Sequence, residues 1–303
     1  MYKFFLILIS FSAYTHAWWD TGHALVCDEA YKRLSPEIQK KVDELIEGRF
    51  DNYGAACIWP DEVKAIERPE TRPWHYVNLP RGKVKVTKAY CPEDGCLLSA
   101  YFEQLEILKI GDHVSRQEAL GYVGHFIADV HQPLHIGYGF DRGGNDLVLT
   151  LNNKERTNMH MIWDGYIIDY AYKNYDQKTI DEFINKTISE MTQADLTKDF
   201  YAWATESRLL ALSKGVGYKI FIDDGPNHFY SRRKNLDDSY LETQVPVVLE
   251  QIAKAINRLV FTLENTCLLY TSDAADAQSS VDLGGRRIIK KKKVGGGGGG
   301  GGG

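Results

Sequence analysis

The sequence predicts an all-α fold: a single, mostly helical domain with one small β-hairpin. Three observations carry this. Apolar residues recur at the spacing of a helix face in segment after segment. Only one stretch, 146–151, alternates apolar and polar residues as a strand does. No internal repeat and no Pro-, Gly- or Ser-rich linker divides the chain before Cys267.

The elements follow in order. Residues 22–34 carry apolar positions at helical spacing. Ser35 and Pro36 then read as an N-cap followed by proline at the first helical position, opening a helix to about Glu47. Residues 97–110 form another helix, stopped before Gly111. Ser115 and Glu118 read as a capping box for a strongly apolar helix over 116–130. Pro133 should end that helix and turn the chain back. Stretch 146–151 is half of the hairpin. Segments 158–172, 177–193, 199–212 and 237–264 also read as helices, the last kinked at Pro246.

The two ends read differently. A positive start, Met1-Tyr2-Lys3, precedes an apolar run over 4–14 and then Thr15-His16-Ala17. This is the pattern of a secretory signal cleaved after Ala17, which makes Trp18 the first mature residue. The run is too short to span a bilayer. Residues 268–303, with a lysine run at 290–293 and nine closing glycines, cannot bury a core and read as a disordered, non-native extension. A domain over 18–267 remains, long enough for a full core.

Charge narrows the function. The whole chain carries −5; the tail holds six Lys or Arg and three Asp, and Lys3 adds one more cation, so the body lies near −9. An acidic body is a poor partner for phosphates unless metal ions supply positive charge. Five cysteines fit an oxidising compartment. Cys91 and Cys96 bracket Pro-Glu-Asp-Gly and can close a short disulfide loop. Cys27, Cys57 and Cys267 remain; Cys27 with Cys57 is one open pairing, and no spacing is that of a zinc knuckle. Asn185-Lys186-Thr187 is a glycosylation sequon.

The chemistry-bearing residues are histidines and aspartates. His125 and Asp129 lie four apart on one helix, and His160 and Asp164 repeat that spacing on a second. One helix turn places each pair on one face, as two ligands of one metal or of neighbouring metals. His135 follows the turn at Pro133, while Asp61 and His75 lie upstream. Imidazole and carboxylate donors without thiolates suit zinc in a hydrolytic site. A core would not tolerate so many titratable groups without a partner. His23 lies five residues after Trp18, whose α-amino group and carbonyl oxygen could chelate a metal once the chain starts there.

These segments together resemble a known family. Trp18 with His23, Trp59-Pro60-Asp61-Glu62, Trp74-His75-Tyr76-Val77, Gly124-His125-Phe126-Ile127-Ala128-Asp129, Gln132-Pro133-Leu134-His135, Gly143-Gly144-Asn145 and His160-Met161-Ile162-Trp163-Asp164 look like the successive signatures of the S-one/P-one family of zinc-dependent, single-strand-specific nucleases and 3′-nucleotidases. The resemblance implies the helical fold shared with zinc-dependent phospholipase C. It also implies three zinc ions per chain. The first would lie on Asp61, His75, His125 and a bridging Asp129. The second would lie on His135, His160 and Asp164. The third would lie on the amine and carbonyl of Trp18, with His23 and Asp129. His113, His131 and His228 have no ligand counterpart.

The resemblance also assigns roles. Asp61 would orient or deprotonate the attacking water. Lys64 stands where the family usually places an arginine against the transition state, and offers charge without the bidentate fork. Asn145 would donate to the phosphate, with a plain turn residue as the equally open reading. Tyr76 would stack on a base, which favours single strands. Asn78 stands where fungal members carry an aspartate that touches the base edge. The function implied is a secreted, monomeric endonuclease, extracellular or in the endolysosomal lumen and without stable membrane association. It would hydrolyse single-stranded DNA and RNA to 5′-phosphorylated products and act on 3′-nucleotides. The alternative is a zinc-dependent phospholipase C, opposed by the five-residue Trp18–His23 spacing and by aspartate rather than glutamate at Asp164.

Overall fold

The computed structural model describes residues 18–216 and 234–266, so the leader, His228, Cys267 and the tail lie outside the described residues. The architecture is mostly helical with one small sheet, as the patterning predicts. In chain order the helices are α1 (Trp19–Tyr31), α2 (Pro36–Ile46), α3 (Tyr53–Ala65), α4 (Leu97–Ile110), α5 (His113–His131), α6 (Met159–Met161), α7 (Ile167–Asn174), α8 (Gln177–Glu190), α9 (Gln193–Leu196), α10 (Phe200–Ala211) and α11 (Asp238–Thr266). Short 3₁₀ turns at Pro69–His75, Pro133–Ile136 and Gly139–Asp141 and a π turn at Ile162–Tyr166 join them.

Helix α5 is the axis of the core. Every residue from Ala119 to His131 is buried, and α1, α3, α4, α10 and α11 pack around it. A helix apolar on all sides has no solvent face to present. Its start differs from the expected one. Asp112, not Ser115, is the cap, accepting a hydrogen bond from the Ser115 amide at 3.0 Å, so the helix begins at His113. Glu118 is instead drawn to Arg49 and Arg68 at 2.6 Å each, an ion pair that outcompetes a capping role for its carboxylate.

Helix α3 is missing from the sequence reading, because Pro60 lies inside it and proline argues against a helix interior. Tertiary packing overrides that cost. Asn52 caps the first turn, accepting from the Ala55 amide at 2.7 Å. The carbonyl of Ala56, which Pro60 cannot satisfy, faces Gly121 of α5 so closely that a Cβ there would lie 2.4 Å from it. A Cys27–Cys57 disulfide ties α1 to α3, and Cys91–Cys96 closes the short loop before α4. Both disulfide readings are present.

Other boundaries shift for local reasons. Segment 158–172 is not one regular helix but α6, the π turn and α7. Segment 177–193 breaks at Thr192, which opens α9 in a capping box with Asp195. At α2, Ser35 holds the N-cap position, but its hydroxyl donates to Glu264 at 3.1 Å rather than capping. Helix α11 runs through Pro246 as one element. The hairpin pairs β1 (Val148–Leu151) with β2 (Glu155–Asn158), turning on Asn152 and Asn153, both with positive φ. A third strand, β3 (Lys234–Leu236), joins β1 in parallel. Its three residues carry no periodic signal.

Candidate metal centre

Three aspartates and five histidines from distant parts of the chain converge beside α5. Helix α1 brings His23, α3 brings Asp61, and the 3₁₀ turn before Tyr76 brings His75. Helix α5 brings His125 and Asp129, the turn after it His135, and α6 with the π turn His160 and Asp164. All eight side chains are buried. A π turn at such a place is a recurrent mark of functional helices; here it carries Asp164.

Asp129 sits in the middle. Its Oδ1 lies 3.6 Å from His23 Nε2 and 3.2 Å from His135 Nδ1. Its Oδ2 lies 3.2 Å from His75 Nδ1 and 3.1 Å from His125 Nε2. Asp61 faces His75 at 3.3 Å and His125 at 3.4 Å. Asp164 lies 3.6 Å from His135 and 3.3 Å from His160. Three adjoining donor groups result: His23, His125 and Asp129; Asp61, His75 and His125; His135, His160 and Asp164. The first and second share His125, and Asp129 touches all three. Trp18, the remaining expected ligand, is buried at the N-cap of α1 in a left-handed conformation that a non-glycine residue adopts only at a cost.

The donor chemistry fits metal ions. Both nitrogens of His23 and of His135, Nε2 of His75, both oxygens of Asp129 and Oδ2 of Asp164 are buried without a well-formed hydrogen bond. So many buried polar atoms would cost several kcal/mol without a ligand. Backbone carbonyls orient two of the rings. His125 Nδ1 lies 2.7 Å from the Cys57 carbonyl and His160 Nδ1 lies 2.8 Å from that of Gly143. Each ring therefore donates from Nδ1 and turns a Nε2 lone pair inward, as metal-binding imidazoles do. Gln132 Nε2 donates to Asp164 Oδ1 at 2.5 Å while its Oε1 accepts from the Leu134 amide. No local signal in the sequence assigns Gln132 this hold on Asp164, because it arises only once helix and turn are folded together.

Electrostatics agree. Burial pushes His23 down to about 3, with His125 adding repulsion, and burial with Lys64 pushes His75 down to about 4. Both stay neutral near pH 7, the form that binds metal. Burial opposes charge on His135, but Asp129 and Asp164 overcome it and raise the ring to about 10. Burial likewise opposes ionisation of Asp129, and the surrounding imidazoles outweigh it, holding the carboxylate well below its usual range. The carboxylates thus draw a proton onto His135, and a bound cation would take that proton's place.

The remaining expected residues have the following surroundings. Lys64 Nζ pairs with Asp61 Oδ1. Tyr76 is 41 % exposed and Asn78 is half-buried. Asn145 donates from Nδ2 to the Arg142 carbonyl at 2.9 Å, within the turn. His131 stands apart: its Nδ1 lies 2.6 Å from the Ile127 carbonyl, and its Nε2 lies 2.8 Å from Arg258, which in turn pairs with Glu206. His113 is exposed at the start of α5. Neither belongs to the three donor groups.

A buried set of imidazoles and carboxylates with no thiolate defines the class, a hydrolytic metal centre on a helical scaffold. The family model for S1/P1 Nuclease matches residues 18–267. Endonuclease 4 of Arabidopsis thaliana is 29 % identical over 81 % of this chain and 88 % of that protein. Nuclease S1 of Aspergillus oryzae is 26 % identical over 82 % of this chain and 92 % of that protein. Nuclease P1 of Penicillium citrinum is 23 % identical over 61 % of this chain and 71 % of that protein. The chain belongs to the S1/P1 nuclease family, and it is a phosphodiester hydrolase.

Proposed function

We propose that this protein is a secreted, trinuclear-zinc endonuclease of single-stranded DNA and RNA that leaves 5′-phosphates and also removes the phosphate of 3′-nucleotides. The observation that carries this reading is the three adjoining buried His/Asp groups joined through Asp129, beside an exposed aromatic at Tyr76. Asp61, His75, His125 and Asp129 would hold one zinc, and His135, His160 and Asp164 a second. His23 and Asp129 would hold a third, with the amine and carbonyl of Trp18 once the chain begins there. Bound zinc supplies the positive charge that brings a water pKa toward roughly 7 and balances the charge that builds on the phosphate.

The chain's own residues do the rest. Asp61, held by Lys64, would orient the attacking water or take its proton as the bond from phosphorus to the leaving 3′-oxygen breaks. Lys64 donates to a non-bridging phosphate oxygen as charge accumulates. One Asn145 N–H is used in its turn, and the other would donate to the phosphate. Tyr76 stacks on an unpaired base, a contact every base can make but a paired one cannot offer. Asn78 meets the base edge with an amide in place of a carboxylate. Both disulfides suit an oxidising compartment, and no helix among the described residues is long and apolar enough to cross a membrane.

The test is hydrolysis of heat-denatured DNA, RNA and phosphatidylcholine by protein starting at Trp18, with and without a zinc chelator. Chelator-sensitive release of 5′-mononucleotides with phospholipid untouched supports the reading. Phospholipid cleavage with nucleic acid untouched replaces it with the phospholipase.

A further inference from the structure

Next to the metal centre, two segments run side by side. Val77 and Leu79 donate from their amides to the carbonyls of His135 and Gly137 at 2.9 Å each, and Leu79 bridges Tyr138 in parallel. Val77, Leu79, Ile136 and Tyr138 are all buried, so this ribbon turns one face into the core. Alternation puts Tyr76 and Asn78 on the other face, where Gly139 is exposed beside Asn78 while Gly137 is buried against Gly143 and Leu134. A Cβ at Gly139 would lie 3.6 Å from that of Asn78. The accessible strip from Tyr76 through Asn78 to Gly139 thus leads away from the centre.

At its far end stands a basic surface on an otherwise acidic protein. Arg81, Lys83, Lys85 and Lys88 are all exposed, and no acidic residue interrupts 81–88. Lys83, Lys85 and Lys88 form no ion pair within 4 Å among the described residues, whereas the exposed Lys32, Lys40, Lys178, Lys186 and Lys198 each do. The segment is pinned. Arg208 is fully buried and donates to the carbonyls of Lys83 and Ile136, while the Val86 amide donates to Thr205. Arg208 also lies 4.0 Å over Tyr138; Tyr138 stacks with Phe140; Arg81 lies 4.6 Å over Phe140. Phe140 is 41 % exposed. Two stacked rings thus lie between the buried Arg208 and the exposed Arg81.

We propose that Arg81, Lys83, Lys85, Lys88 and Phe140 form a distal subsite for single-stranded nucleic acid. The lysines and Arg81 track backbone phosphates, and Phe140 with Arg81 offers a stacking platform for a base. Four to five residues of ribbon separate Tyr76 from Arg81, on the order of 15 Å at about 3.3 Å per residue. A chain several nucleotides long reaches both ends and a dinucleotide does not. Exposed cations interleaved with an aromatic are the recognised means of holding single strands without reading sequence. This proposal rests on the nuclease reading above.

The test compares the wild type with the triple variant Lys83→Gln/Lys85→Gln/Lys88→Gln, and separately with Phe140→Ala. The substrates are a long denatured DNA and a dinucleotide. The triple variant is expected to lose about tenfold or more in kcat/KM on long DNA at low salt and to keep dinucleotide cleavage within about twofold. Its slope of log(kcat/KM) against log[salt] should flatten by about 2, at roughly 0.7 per phosphate contact on single strands. Phe140→Ala should lose about tenfold on long DNA alone. Equal losses on both substrates, or an unchanged salt slope, overturn the proposal.

Binding of a fluorescent phosphorothioate-linked dT20 is read in parallel. A wild type that cleaves neither substrate refutes the nuclease reading, and oligonucleotide binding lost in the triple variant still supports the subsite. Unchanged binding in that variant overturns it, as does charge-dependent binding to phosphatidylserine vesicles with no affinity for the oligonucleotide.

Discussion

Lys64 is the residue where this chain departs most clearly from the chemistry its family resemblance implies. It is half-buried and pairs with Asp61. An ammonium delivers charge to a phosphate oxygen but cannot bind two at once. Lys64→Ala should lower kcat/KM by about 10²–10³, the typical effect of removing one preorganised donor. Lys64→Arg should retain or raise activity. Zinc content should stay constant in both, measured on the same samples, because Lys64 is no ligand. His131 sets a different test. Burial and the charge of Arg258 hold it neutral, well below its ordinary value. The unfolded chain therefore binds the proton first. Stability from this residue is complete above about pH 6.5 and is lost as pH falls below it, by up to about 1.4 kcal/mol per pH unit. His131→Gln should flatten the acid limb of the melting temperature between pH 6.5 and 5 relative to wild type, read by circular dichroism on zinc-loaded protein.

The elements hold the centre by close backbone approach. Gly124 of α5 lies over the Cys27–Cys57 bridge, so a Cβ there would sit 2.4 Å from Cys57 Sγ and 2.7 Å from Cys27 Sγ. Gly124→Ala must push α1 and α3 away from α5, displacing His23 and Asp61 from His125, one position along from the glycine. We expect a loss of about 1–3 kcal/mol in urea unfolding, typical of an overpacked core, together with weaker zinc binding. Removing the bridge in Cys27→Ala/Cys57→Ala should cost about 2–5 kcal/mol by the same measurement. The capping change at α5 has the same flavour. Sequence offered Ser115 with Glu118, yet Glu118 has two arginines from other elements within reach, and Asp112 takes the cap instead.

At the level of the whole molecule, the buried charge makes metal and fold one system. The carboxylates Asp61, Asp129 and Asp164 sit in the core with the imidazoles around them. Stripping zinc with a chelator should lower the melting temperature, and restoring zinc should raise it. Each site held at 100 times its Kd contributes about 2.7 kcal/mol. Metal analysis should return three zinc ions per chain, and Asp129→Asn should lower that number because this carboxylate touches all three donor groups. Protein still carrying residues before Trp18 should bind one zinc fewer than protein starting there, since its Trp18 amine is tied up in a peptide bond.

Much of this was legible in the chain itself. Helical periodicity, the two His-x-x-x-Asp pairs and the absence of thiolate spacings point to a helical domain with an imidazole–carboxylate centre, because these signals are local: a turn of helix fixes which side chains share a face. Helix α3, the third strand and the true cap of α5 were not legible. Each depends on partners far along the chain: Gly121 opposite Ala56, β1 beside residues 234–236, and Arg49 and Arg68 around Glu118. The same holds for the surroundings of the centre. The sequence by itself marked the histidines and aspartates that converge and the class of chemistry such donors suit. Only the tertiary structure decided that Asp129 joins three groups, that the Cys57 and Gly143 carbonyls turn the rings, and that Arg208 fixes a basic strip at the end of the ribbon. Such contacts are set by packing between distant segments, and no spacing along the chain encodes them.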